Sequence, residues 1–202
     1  MGSSAKQLDA KCTYADYCSW DDGERWELID GIPYNMTPAP STRHQRILSN
    51  LSLAILSFLK GKSCQGYVAP TDVVFDEFNV VQPDLLVVCD RAKVTEANIQ
   101  GAPDLVAEII SPSTSRKDRR EKRALYERFG VKEYLVIDPV NETVERLRLV
   151  RGKYGSPDVF GWDETMKLAL FPALILNLWE IFEKEKVATV NEPRPGYSAK
   201  NS

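Results

Sequence analysis

The chain has a single histidine, four cysteines and no excess of positive charge, since 26 Lys and Arg stand against 29 Asp and Glu for a formal net charge of -3. One histidine, and thiols at Cys12, Cys18, Cys64 and Cys89 without any CxxC spacing, leave a zinc cluster few ligands to draw on. The cysteines therefore read as free thiols in a reducing cytosol. Without a basic excess the protein is not coated in positive charge, so contact with nucleic acid has to come from a local patch. Long apolar runs are also missing. Nothing approaches the ~20 residues of a membrane helix, and the opening MGSSAKQLDAK lacks the apolar core of a signal peptide. These absences predict a soluble, cytoplasmic protein.

A length of 202 residues suits one domain of ordinary size. Residues 1–12 are small and polar, and 191–202 (NEPRPGYSAKNS) are rich in Pro, Gly and Ser, so both ends are predicted to be flexible around a single domain at 13–190. In RWELIDGIPYNM, apolar residues alternate on both sides of Asp30-Gly31, a dipeptide suited to a tight hairpin. Ile47, Leu48, Leu51, Ile55, Leu56 and Leu59 recur at helical spacing, with Ser41 or Thr42 as a cap and Gly61 as a stop. Short β-rich runs at 66–69, 72–75, 85–89 and 105–110 are expected to form one sheet. Pro112 ends the last of them, and Ser113 or Thr114 can cap a helix running to about Phe129, stopped by Gly130. Strands follow at 134–137 and 144–150, with 152–160 returning beside the second, and 176–185 reads as a short amphipathic helix. The order predicts an α/β (α+β) fold.

Carboxylates stand out in this pattern. Glu108 lies inside the apolar run DLVAEII, on the face of Val106 and Ile110, and Asp84 follows Pro83 at the head of LLVVC. A carboxylate away from water is costly unless it is paired or bound to a cation, so the two suggest a divalent-metal site. Each also has a plain structural alternative: Glu108 as an exposed residue or a partner for arginine, Asp84 as a turn or cap residue. Pro103-Asp104 offers a second copy of the dipeptide. On the next helix, stepping back from Leu125 and Phe129 reaches Lys122 and Asp118. They either form a surface i,i+4 pair worth about 0.3–0.5 kcal/mol, or place Lys122 against the metal site with Asp118 steadying it. Glu27 is a third carboxylate or simply the polar side of the hairpin. His44 reads as a surface or capping group, with a catalytic role secondary.

That helix also carries Arg116, Lys117, Arg119, Arg120 and Arg123, a run that is either a solvated face or a nucleic-acid contact that Arg43 and Arg46 extend. Cations beside two carboxylates suit phosphodiester chemistry.

The stretches WELIDGIPY, VVQPDLLVV and GAPDLVAEIISPSTSRKDRREKRALYERFGVKEYLVIDP resemble the Uma-two family of bacterial restriction-endonuclease-like proteins, within the PD-(D/E)XK nuclease superfamily. The resemblance runs from about Glu24 to Asp138. It implies a restriction endonuclease-like αβββαβ core, with a mixed central sheet flanked by helices and an added β-hairpin. It also implies Mg²⁺, with Mn²⁺ as an alternative, on Asp84 and Glu108, and hydrolysis of DNA. Ile110 occupies the position two after the glutamate where the superfamily has lysine, and Lys122 is the matching substitute. Two other readings are a fold that has lost its chemistry and binds nucleic acid or protein, and a dimer in which FPALILNLWEIF packs against a twin. A homodimer is also compatible with catalysis, because duplex targets have two strands.

Overall fold

The computed structural model describes residues 11–36, 38–111 and 114–185. The segments 1–10 and 191–202, and the residues Pro112 and Ser113 invoked as stop and cap, lie outside the described residues. Cys12 is buried and donates its N–H to the Gly31 carbonyl at 2.9 Å.

A helix that the sequence reading did not include, α1 (Tyr14–Ser19), is opened by a capping box between Thr13 and Asp16. The hairpin follows as β1 (Trp26–Ile29) and β2 (Ile32–Asn35), and Asp30 and Gly31 both take positive φ, as a type I′ turn requires. Ser41 caps α2 (Thr42–Leu59) by accepting from the His44 N–H. The next strands are β3 (Gln65–Val68), β4 (Val73–Asp76), β5 (Asn79–Val81), β6 (Leu85–Val88), β7 (Ile99–Gln100) and β8 (Leu105–Ile109).

The helical segment after β8 has three parts: α3 (Ser115–Lys117), a π-turn at Asp118–Lys122, and α4 (Arg123–Phe129), which Gly130 ends in the left-handed conformation. Thr114 does not cap it. Its hydroxyl instead accepts from the Ser111 N–H. The chain continues through β9 (Glu133–Asp138), β10 (Thr143–Val150), β11 (Lys153–Tyr154), β12 (Asp158–Gly161), β13 (Thr165–Lys167), β14 (Ile175–Asn177) and α5 (Leu178–Ile181). The helix expected over 176–185 is thus shorter, because Leu176 belongs to a strand.

The fold is α+β with mixed sheets flanked by helices. The central sheet has the order β11-β10-β9-β8-β6-β3, with β12 also on β10. β6 and β8 are antiparallel, while β8 and β9 are parallel and joined through the α3–α4 segment. The single sheet expected from the β-rich runs is in fact two. β4 pairs with β5 and β7 in a second sheet of order β2-β1-β5-β4-β7, which takes in the hairpin. The loop carrying Pro70 separates β4 from β3, and the three-residue β5 supplies the partner strand that was not foreseen.

Strand alternation divides the apolar residues between two cores. Leu85, Val87, Leu105, Ala107 and Ile109 pack against Ile47, Leu51 and Ile55 of α2. Leu86, Val88, Val106 and Ile110 face Leu125 and Tyr126 of α4 and the second sheet's Ile29, Val73 and Val81. The C-terminal apolar segment contributes to the chain's own core. Leu174, Leu176, Leu178, Ile181 and Phe182 are buried in the first core of the same chain.

Cys64 and Cys89 are joined in a disulfide, which corrects the expectation of four thiols. The physical reason is register, since Gln65 pairs with Val88 and the next step outward brings the two cysteines opposite each other. Among the described residues no helix is long and apolar enough to cross a membrane.

Candidate active site

The ladder between β6 and β8 pairs Leu85 with Ala107, and one further step sets Asp84 opposite Glu108. Pro83 ends the run of ladder donors at this point, so Asp84 sits at the strand's mouth. Its Oδ2 accepts from the Ile109 N–H at 2.7 Å and lies 3.2 Å from His44 Nε2. Glu108 is buried and does not face solvent. Its Oε1 accepts from Lys122 Nζ at 2.8 Å and from the Tyr126 hydroxyl at 2.6 Å.

The π-turn begins at Asp118 and ends at Lys122, and both are buried. Lys122 is the hub of the cluster: its Nζ also lies 2.6 Å from Glu27 Oε1 and 3.8 Å from Asp118 Oδ1. Glu27, from β1 of the second sheet, is fully buried, takes Lys117 Nζ on Oε2 at 2.7 Å and accepts from the Gln82 N–H at 3.1 Å. The structure thus brings Asp84, Glu108, Asp118 and Lys122 together in the lining of a cleft of about 340 Å³, with Glu27 fully buried behind Lys122.

Several placements differ from the sequence reading. His44 is neither a surface nor a capping group but a buried partner of Asp84. It extends the α2 stripe back by three and four residues from Ile47 and Leu48, a signal present in the sequence. Lys117 turns inward to Glu27 instead of joining a solvated cationic face. Arg119 is held by Asp138 and Glu145, Arg43 by Glu142 and Arg46 by Glu183. Arg123 donates to the Gly155 carbonyl. Arg116 and Arg120 are exposed. The competing Asp104 lies elsewhere, accepting from the Cys89 N–H and Lys132. Tyr126, which the sequence reading did not single out, is one helical turn beyond Lys122.

Charges in the cluster do not balance, because four carboxylates share two ammonium groups. Burial alone would raise Glu27, but the ammonium groups of Lys122 and Lys117 overcome it and hold that carboxyl down to about 2. Glu108 goes the other way. Its burial outweighs the pull of Lys122, and the negative neighbours Asp118, Asp84 and Glu27 add to it, pushing the group up to about 8. Burial raises Asp118 as well. For Lys122 burial works against the charge, but Glu108, Glu27 and Asp118 keep it an ammonium well above the usual lysine range.

The donor set can be tested against a divalent cation. Two carboxylates lining one cleft, with negative charge in excess, are oxygen donors in need of a positive ion, which suits Mg²⁺ or Mn²⁺ and not a thiophilic metal. Among the described residues no three His, Cys, Asp or Glu side chains converge as a closed metal cage. A site of one or two carboxylates that leaves the remaining positions to water and phosphate oxygens is the habit of Mg²⁺.

A similar architecture, and part of the sequence pattern, recur in other proteins. A crystal structure of a putative nuclease belonging to DUF820 from Anabaena variabilis superposes with a TM-score of 0.71 at 23% identity, covering 85% of this chain and 97% of that one, a likeness of fold. Two uncharacterised proteins of Synechocystis sp. are related in sequence. Slr1290 is 31% identical over 121 residues, 57% of this chain but only 62% of that protein, so the match spans less than two thirds of it. Sll1609 is 28% identical over 145 residues, covering 68% and 81% of the two chains. The profile of the Uma2 family, described as putative restriction endonuclease, matches residues 13–178, from the cap of α1 to the first residue of α5, and the chain belongs to that family.

Proposed function

We propose that the protein is a divalent-cation-dependent endonuclease that hydrolyses DNA phosphodiester bonds, using Mg²⁺ or, in its place, Mn²⁺. The observation that carries this reading is that Asp84 and Glu108 line one cleft, Asp84 held by the Ile109 N–H next to Glu108, with the Lys122 ammonium 2.8 Å from Glu108. Asp84 and Glu108 would hold the cation, which when bound supplies a polarised water and positive charge for the leaving oxygen.

The remaining work falls to the chain's own side chains. Lys122 keeps its proton and so serves as a fixed positive charge and hydrogen-bond donor beside the scissile phosphate, not as a base. Glu27 fixes where that charge sits, Asp118 lies within 4 Å of it, and Tyr126 orients Glu108. His44 and the Ile109 N–H hold one oxygen of Asp84, which fixes the carboxylate where it lines the cleft. Water adds across the P–O ester bond, one of its protons ending on the leaving oxygen.

Calorimetric titration with Mg²⁺ and Mn²⁺ tests the metal half of this reading. One ion per chain is expected, with affinity that rises with pH up to about 8 because Glu108 must release its proton to the solvent before it can act as a ligand. Asp84→Asn should abolish the binding. No heat at millimolar metal would instead favour a binding module that keeps the fold without the chemistry, a reading consistent with Glu108 Oε1 being already taken by Lys122 and Tyr126.

A further inference from the structure

We infer that the substrate enters as single-stranded DNA, with one unpaired nucleotide seated in the cleft, and not as an intact duplex. This inference rests on the hydrolytic reading above and concerns the form of DNA that the same site accepts.

Cations give the first argument. A duplex is held chiefly through phosphates on both strands, and a protein that grips one commits many Lys and Arg side chains to it. Here the basic helix spends its charge internally. Lys117 is buried against Glu27, and Arg119 is shared by Asp138 and Glu145. Arg43, at the cleft edge, is paired with Glu142, which also takes Lys184. Arg116 and Arg120 remain exposed on that helix, Arg123 donates to the Gly155 carbonyl, and no ion pair forms at any of the three among the described residues. Three cations suit a short stretch of one strand.

The cleft's shape and lining give the second. At about 340 Å³ it is near the lower end of the ~300–1,000 Å³ range of small-ligand pockets, which fits one nucleotide and not the width of a helix. Its lining joins the apolar residues Met36, Pro38, Pro40, Pro139 and Val140 to the charged ones. Val140 is 71% exposed and Pro38 and Pro40 are also exposed, so these three present apolar surface to water beside the charged groups, while Pro139 is buried. A sugar-phosphate backbone has no use for such a surface. An unstacked base does, because its π-face is satisfied by apolar contact whatever its sequence, as single-strand binders exploit. Paired and stacked bases cannot present that face.

Initial cleavage rates test the proposal, using a labelled single strand and the duplex of the same sequence with Mn²⁺ at several salt concentrations. The single strand should be cut faster by about tenfold, the contribution of roughly one stacked base. The logarithm of its rate at subsaturating substrate should fall with log salt at a slope no steeper than about 2, since few phosphates are neutralised. Val140→Asp, a change at an exposed lining residue, should lower the single-strand rate while leaving the thermal midpoint unchanged. A duplex cut as fast as or faster than the single strand would overturn the inference and leave the hydrolytic reading standing. Cleavage of neither form would remove both.

Discussion

Lys122→Met is expected to lower the free energy of unfolding by about 3–5 kcal/mol, read as a fall in the urea midpoint at constant m, and to abolish hydrolysis. The size follows from what the ammonium leaves behind. Glu27 is fully buried and would keep only Lys117, while Glu108 and Asp118 would lose their nearest positive charge. The cost belongs to the stranded carboxylates and not to the lost contact, so combining Lys122→Met with Glu27→Gln should be less damaging than the sum of the two single changes. A drop below about 1 kcal/mol would place Lys122 among ordinary surface pairs and contradict the buried hub.

The second large effect is a stability profile with two limbs. Glu27 has an ordinary value of 4.5 and a folded value of about 2. A depressed carboxyl contributes stability that is complete above 4.5 and is lost as pH falls through that window towards 2. The shift corresponds to about 3 kcal/mol at ~1.4 kcal/mol per pH unit. Glu108 has the opposite sign. Its folded value of about 8 means that between 4.5 and 8 the folded chain holds a proton that the unfolded chain has released, so this group removes stability as pH rises through that range. Urea midpoints measured from pH 2 to 9 without added metal should therefore peak near pH 5. Glu27→Gln should flatten the acid limb and Glu108→Gln the alkaline one. A profile between pH 5 and 8 that Glu108→Gln leaves unaltered would show that Glu108 is ionised throughout and that the charge imbalance is not as described.

Periodicity made some of this legible in advance. The stripe of Ile47, Leu51, Ile55 and Leu59 announced α2, Asp30-Gly31 announced its hairpin, and alternation set Glu108 on the face of Val106 and Ile110. Lys122 and Asp118 followed from the phase of the Leu125 stripe. Convergence could not be read in this way. Glu27 meets Lys117 across 90 residues of sequence, through a second sheet that needs the short β5 as its middle strand, and nothing local to WELIDG specifies that meeting. His44 and Tyr126 each continue a visible apolar stripe, but a polar group on such a stripe acquires meaning only from the Asp84 or Glu108 it faces. The pairing within the basic run was hidden for a related reason. A string of Lys and Arg looks like a solvated face until the partners arrive from distant strands, as Glu145 and Asp138 do for Arg119.

The most direct measurement of the central claim is hydrolysis itself: purified protein incubated with single-stranded and supercoiled DNA in Mg²⁺, in Mn²⁺ and in EDTA, alongside Asp84→Asn and Glu108→Gln. Cleavage that needs a divalent ion and disappears in both variants is the expected result. Cleavage that survives either substitution, or none by the wild-type protein with either metal, would contradict the assignment of Asp84 and Glu108 as the hydrolytic pair.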